Sequence, residues 1–233
     1  MGKRIIPRAR GKGGPRYRAP SHRYLGKVSY ASGAGATGKV KDIVHDPGRS
    51  APVAIVKLKD GKEILHIAQE GLKVGDKVVY GGKADVGNVL PLSKIPEGTR
   101  ICCIETFPSS GPKICRSSGS FAIAIGKVGK RITVQFPNGK TKNLVASCRA
   151  TIGVPAGGGR TEKPFVKAGK RFYALSARGK LFPRTKGVVM SPVDHPYGGR
   201  GHRPRRKAVS KSTPTGAKVG SISPKRMGKR KGR

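Results

Sequence analysis

The sequence predicts an all-β protein: two small β modules carried between basic arms. Three observations lead there. Short apolar runs of strand length recur across residues 28–175, separated by turn signals. That middle region shows no sustained helical periodicity. Charge, glycine and proline concentrate at the two ends, where apolar residues are scarce. Residues 1–27 hold nine basic residues and no acid, and residues 176–233 hold seventeen basic residues and one acid, Asp194. Such ends cannot bury enough apolar surface to fold alone, whereas the middle can.

In chain order, Val40 to Val44 supplies a first strand, ended by the turn signal Asp46-Pro47-Gly48. Val53 to Leu58 is a second, Asp60-Gly61 a hairpin turn, and Glu63 to Ala68 the returning strand. Leu72 to Tyr80 reads as a turn and a further strand. Short strands with frequent turns suggest a small closed barrel, of which the OB-fold is one form. A second group begins after Leu90-Pro91-Leu92, with strands expected at Ile101–Ile104, Phe121–Ile125 and Ile132–Phe136. Asn138-Gly139 is the strongest short hairpin signal, and Lys142–Val145 returns from it. A short helix near 144–148 is the one local alternative. The organisation expected is an N-terminal extension over 1–27, barrels over 28–92 and 93–175, and a Gly/Pro-rich extension over 176–233.

Charge narrows the function. With 50 Lys and Arg against 11 Asp and Glu, the formal net charge is +39 on 233 residues. A free globular protein gains nothing from such self-repulsion, so a polyanionic partner is expected, nucleic acid first. A membrane is not: no apolar run approaches the roughly 20 residues of a span, and no amphipathic helix offers a bilayer an aromatic face. The start, MGKRIIPRARGKGG, lacks the apolar stretch of a signal peptide, so the chain is expected to stay where it is made. Cys102, Cys103, Cys115 and Cys148 form no CxxC pair, and neighbours on a strand face opposite ways. Reduced thiols are expected, and no metal site.

Ser191, Asp194 and His195 are the residue types of a hydrolytic triad, yet they sit in a Pro/Gly-rich run without a rigid scaffold or an oxyanion hole. Local hydrogen bonds that shape a loop account for them better, as does a carboxylate that orients His195 toward a nucleic-acid phosphate, ribose or base. Gly157-Gly158-Gly159-Arg160-Thr161 lacks the Gly-Lys-Ser/Thr ending of a phosphate-cradling loop; it suits close approach of backbone to RNA. Tyr17, Tyr24, Tyr173 and Tyr197 lie among basic residues, where each can stack on a base or cover a barrel end. Arg205-Arg206-Lys207 and Lys229-Arg230-Lys231 are the densest cationic runs, of the kind that binds phosphates without sequence discrimination. These features reach a nucleic-acid binder and do not separate ribosomal RNA from chromatin. A DNA-compacting protein and a hydrolase on Ser191, Asp194 and His195 are the competing readings, distinguished by RNA preference and by turnover.

Several longer segments carry a resemblance. Arg18-Ala-Pro-Ser-His-Arg-Tyr24, His45-Asp-Pro-Gly-Arg-Ser-Ala-Pro-Val-Ala54, Cys148-Arg-Ala-Thr-Ile-Gly153, residues 157–169 and Gly187-Val-Val-Met-Ser-Pro-Val-Asp-His-Pro-Tyr-Gly-Gly199 resemble the universal large-subunit ribosomal protein two family, in its archaeal and eukaryotic form. The resemblance runs over essentially the whole chain. It implies an OB-like barrel, then an SH3-like barrel, with long basic irregular extensions threading large-subunit rRNA. It further implies a structural role in the cytoplasmic ribosome, in assembly of the peptidyl transferase region, subunit association and tRNA binding, and no enzymatic activity. Expected partners are large-subunit rRNA, neighbouring ribosomal proteins and the small subunit, without homo-oligomers. No cofactor is expected, with bridging magnesium or potassium at the RNA interface left open. RNA contacts are expected from Arg18, His22, Arg23, Arg49 and Arg149, then from Arg160, Lys163 and Lys167. In the C-terminal segment they are expected from Asp194, His195, Tyr197, Arg200 and His202, and from Arg205, Arg206, Lys207, Lys229 and Arg230. Three positions depart from the family loop: Ser191 stands for its usual Asn, Tyr197 for its second His, and Arg200 for the third Gly of its triple-glycine run.

Overall fold

The computed structural model describes residues 5–33, 35–199 and 208–224. The chain divides into two compact units, one of residues 21–165 and one that joins residues 1–20 to 166–233.

The 21–165 unit is all-β. Its first sheet holds β1 (Thr37–Val44), β2 (Val53–Leu58), β3 (Glu63–Ile67) and β4 (Lys77–Val79), in the antiparallel order β3-β2-β1-β4. Asp60-Gly61 makes the predicted turn between β2 and β3: Gly61 takes φ 78° and its N–H donates to the Leu58 carbonyl at 3.0 Å. The second sheet holds β5 (Val89–Pro91), β6 (Arg100–Cys102), β7 (Ala122–Val128), β8 (Arg131–Gln135), β9 (Thr141–Val145) and β10 (Arg149–Ile152). Its order is β5-β10-β6-β7-β8-β9, so the chain enters the second sheet at Val89, within the 28–92 segment. Asn138-Gly139 turns β8 into β9 as expected, with Gly139 at φ 76° and the Phe136 N–H on the Lys140 carbonyl at 2.9 Å. No helix forms at 144–148. The architecture is that of an OB-like barrel followed by an SH3-like barrel.

Bulges curl both sheets, since an extra unpaired residue bends its strand and increases the local twist. In β1 the register slips between Val40 and Asp42, and in β7 between Ala124 and Gly126. Inward residues of each sheet close on their own apolar cluster. Val40, Ala54, Val56, Ile67, Val78 and Tyr80 fill the first. Leu90, Leu92, Ile101, Ile104, Ala122, Ile132, Val134, Leu144 and Ile152 fill the second. Alternation is plainest in β8, where Ile132 and Val134 are buried between more exposed neighbours. The thiols take an unexpected course. β6 ends at Cys102, Cys103 turns to φ 53°, and both pack into the first cluster instead of facing opposite ways. All four cysteines are free, and among the described residues no group of His, Cys, Asp or Glu is arranged to hold a metal ion. Burial pushes the Cys115 thiol up to about 11, which disfavours the thiolate that metal binding or nucleophilic attack requires.

The other unit contains α1 (Ile6–Lys12), α2 (Ala168–Ser176), single-turn 3-10 segments at Pro15–Tyr17 and Gly187–Val189, and the short parallel pair β11 (Ala208–Val209) and β12 (Ser221–Ile222). Both helices lie in segments read from sequence without helix. α1 has a proline in its first turn and ends at Gly13, whose φ of 70° lets its N–H reach the Arg10 carbonyl. α2 is followed by Gly179 at φ 64°. No described helix is long and apolar enough to cross a membrane.

Candidate nucleic-acid interface

In the 21–165 unit, two arginines expected to face RNA are tied into the fold. Glu105 is fully buried, and Arg149 meets it with Nη2 at 2.9 Å and Nε at 3.2 Å from Oε1. The Arg149 backbone N–H donates to Oε2, the Gly111 N–H to Oε1, and Arg149 Nη1 to the Ala31 carbonyl. Arg149 also lies over the Tyr30 ring, 5.2 Å from its centroid. Every oxygen of the buried carboxylate is thereby answered, the condition under which such a pair is tolerated. Arg49 repeats the pattern on a smaller scale: it bonds the buried Asp46 carboxylate and the Gly26 carbonyl, while the Gly48 N–H also donates to Asp46. Arg160 donates through Nε to Ser118 Oγ at 3.1 Å and is otherwise exposed. These arginines shape the surface before they touch anything outside it.

His22, Arg23, Lys163 and Lys167 are exposed, as is Arg18. Residues 157–173 are exposed without interruption, and they carry five cations against one acid, Glu162. Part of the glycine run there has an internal purpose. Gly158 packs on Gly119, where a Cβ added to Gly119 would come within 2.6 Å of the Gly158 Cα. Gly158 therefore lets backbone approach backbone within the protein.

The 187–199 segment has its own geometry. The Asp194 and His195 N–H groups both donate to the Ser191 carbonyl, at 2.9 and 3.1 Å, and the Gly198 N–H returns to His195 O at 2.9 Å. The Tyr197 N–H donates to His195 Nδ1 at 3.0 Å. Nδ1 accepts that bond, so in the neutral ring the proton sits on Nε2. A triad would require the opposite, a protonated Nδ1 held by the carboxylate. The Tyr197 ring lies 5.2 Å from the imidazole at 60°, and its hydroxyl donates to the Val219 carbonyl at 3.3 Å. Gly187 seats the imidazole: a Cβ there would fall 2.4 Å from Cε1 and 2.5 Å from Nδ1. Gly198 is likewise needed for the turn itself, since a Cβ would lie 2.3 Å from the Ser191 carbonyl oxygen. His195 and Asp194 line a cavity of about 420 Å³ together with Ile5, Ile6, Arg184 and Met190.

Sequence reasoning brought Asp194, His195 and Tyr197 into one loop. It missed Gly187 and Val219, whose contacts arise only when distant segments meet. The expected contacts Arg200, His202, Arg205, Arg206, Lys207, Lys229 and Arg230 lie outside the described residues. Helix α2 was also missed, although Ala168, Phe172 and Leu175 stand at helical spacing.

Comparison with known proteins agrees with these features. The family model described as the RNA-binding N-terminal domain of ribosomal proteins L2 matches residues 5–80, and that of their C-terminal domain matches residues 85–216. Large ribosomal subunit protein uL2 of Methanothermobacter thermautotrophicus is 50% identical over 241 residues, spanning 99% of this chain and 100% of the relative. The protein of the same name from Methanothrix thermoacetophila is 50% identical over 236 residues, with the same coverage. That of Archaeoglobus fulgidus is 48% identical over 237 residues, again across 99% and 100% of the two chains.

Proposed function

The chain belongs to the large ribosomal subunit protein uL2 family, and on that premise we propose how its parts divide the work of an RNA-binding structural protein. It is a constituent of the large subunit of the cytoplasmic ribosome and not an enzyme. Its barrels serve as folded anchors, and the segments 1–27 and 176–233 thread large-subunit rRNA. Together they support assembly of the peptidyl transferase region, association with the small subunit, and tRNA binding.

The single observation that carries this reading is the ribbon 157–173, five cations and one acid, exposed along its whole length. A cationic strip of that length neutralises a run of phosphates and releases their counterions. Arg160, Lys163, Lys167, Arg18, His22 and Arg23 act as direct phosphate contacts. Arg49 and Arg149, bonded to buried carboxylates, hold the surface in shape beside them. His195 presents Nε2–H to RNA from a turn shaped by Tyr197 and Gly187, with Asp194 in the same turn. Arg200, His202, Arg205, Arg206, Lys207, Lys229 and Arg230 extend the phosphate contacts.

Ultraviolet crosslinking in intact cells, with mass-spectrometric mapping of the peptides and sequencing of the attached nucleic acid, tests the proposal. Large-subunit rRNA from near the peptidyl transferase centre on the His195 peptide supports it. Scattered messenger RNA or genomic DNA on that peptide contradicts it.

A further inference from the structure

A nine-residue helix is marginal in water, and most short helices persist because one face is buried. No residue of α2 is buried. Its inner side, Ala174 and Leu175, is only partly covered. On its outer side Phe172 is 44% exposed and Tyr173 is 74% exposed. The two rings stand edge to face, with centroids 5.5 Å apart and planes at 81°. Around them Lys167, Lys170 and Arg171 are exposed, and no acid occurs anywhere in residues 163–193. Arg171 lies over the Phe182 ring, 5.1 Å from the centroid.

Cations alone would suit any phosphate backbone. Two large rings left in water among them call for a partner that is both anionic and flat-faced. An unpaired nucleobase with its phosphate meets both demands: every base has a π-face, and stacking on an aromatic side chain is sequence-tolerant. A duplex does not, because its bases are already stacked and its deep major groove is closed to side chains. From this we infer that α2 is a stacking platform for unpaired bases of RNA, with Phe172 and Tyr173 as the base-contacting rings and Lys167, Lys170 and Arg171 as phosphate contacts. The inference rests on the rRNA-binding reading above and adds to it the conformation of the RNA. Because the rings are nearly perpendicular, one base cannot lie flat on both. Each ring takes its own face of a splayed strand.

The chain has no tryptophan, so Tyr173→Trp in the full-length protein provides a single indole fluorophore at the proposed contact. The probes are an oligoadenylate, a fully paired RNA duplex of the same length, and inorganic polyphosphate, with binding of each followed independently by competition against a labelled RNA. Quenching of the introduced indole by the oligoadenylate, and not by duplex or polyphosphate at equal occupancy, is the expected result. Phe172→Ala with Tyr173→Ala should weaken oligoadenylate binding about tenfold to a hundredfold, leave polyphosphate binding unchanged, and leave the circular dichroism of the barrels intact. Tyr173→Phe should retain most of the affinity. If the oligoadenylate binds without quenching, or the double variant binds it as the native chain does, the platform is wrong while RNA binding stands; the rings would then belong to a protein contact. If the chain binds no RNA more tightly than polyphosphate, the underlying reading falls and takes the platform with it.

Discussion

The two units of this chain reach their structures by opposite routes. Residues 21–165 close two sheets on two apolar clusters and bury the Glu105 carboxylate against Arg149. In the other unit, among the described residues, Ile5 and Val219 are the buried apolar side chains. One unit exchanges chain entropy for hydrophobic burial, the usual basis of an independent fold. The other carries helices and turns whose outer faces are cationic and aromatic, and among the described residues it buries little apolar surface. The difference teaches that a chain can keep its stability in one region and its binding surface in another. On this account the second region takes its order from RNA.

Substitutions should separate the regions sharply, beginning with the largest effect. Glu105→Ala strands Arg149 and the N–H groups of Gly111 and Arg149, and should cost about 4 kcal/mol in urea unfolding. His66 offers a pH test of nearly that size. It is buried, its Nε2 lies 2.8 Å from the Tyr80 hydroxyl, and burial lowers its pKa to about 4 from the ordinary 6.5. Between those values the unfolded chain binds a proton that the folded chain refuses. Stability should therefore be full above about pH 6.5 and fall by about 3 kcal/mol as pH drops toward 4. Burial pushes Tyr80 up to about 12, so the alkaline loss should run from about pH 10 upward. His66→Phe, read against the native chain across the acid range, should flatten the acid slope.

A smaller contrast pairs Ile101→Val with Val189→Ala. The first trims a fully buried methylene and should cost about 1 kcal/mol; Val189 is 76% exposed, and its loss should stay within about 0.5 kcal/mol. Equal effects at the two positions would erase the distinction between the units. His195→Ala should leave the unfolding midpoint of the barrels unchanged and lower the yield of assembled large subunits in a reconstitution. The smallest effect is expected from Lys163→Ala, with no change in stability, uniformly weaker RNA binding, and a salt dependence shallower by about one counterion.

How much of this was legible in the sequence follows the same division. Strands β2, β3, β8 and β9 are flanked by Asp-Gly and Asn-Gly turns, so local chemistry locates them. β10 escaped because Arg149–Ile152 is a short run whose role comes from pairing with β5 and β6, far away in the chain. Glu105, the partner of Arg149, lies 44 residues away; nothing local reveals the ion pair between them. In the 187–199 loop, Asp194, His195 and Tyr197 were visible as neighbours. The Tyr197 N–H on Nδ1 and the fit of Gly187 beneath the imidazole are products of the turn and could not be read from residue types. α2 was obscured by Gly169, which weakens a helix reading, and by lying at the end of the segment 93–175 expected to be β.

Hydrogen exchange on the full-length protein, free and bound to large-subunit rRNA, tests the central claim most directly. Amides in β2, β7 and β8 should be protected in both states. Amides of 168–176 and 187–199 should exchange at close to unfolded rates in the free protein and become protected when RNA binds. Protection of those two segments in the free protein, as strong as that of β8, would contradict the account.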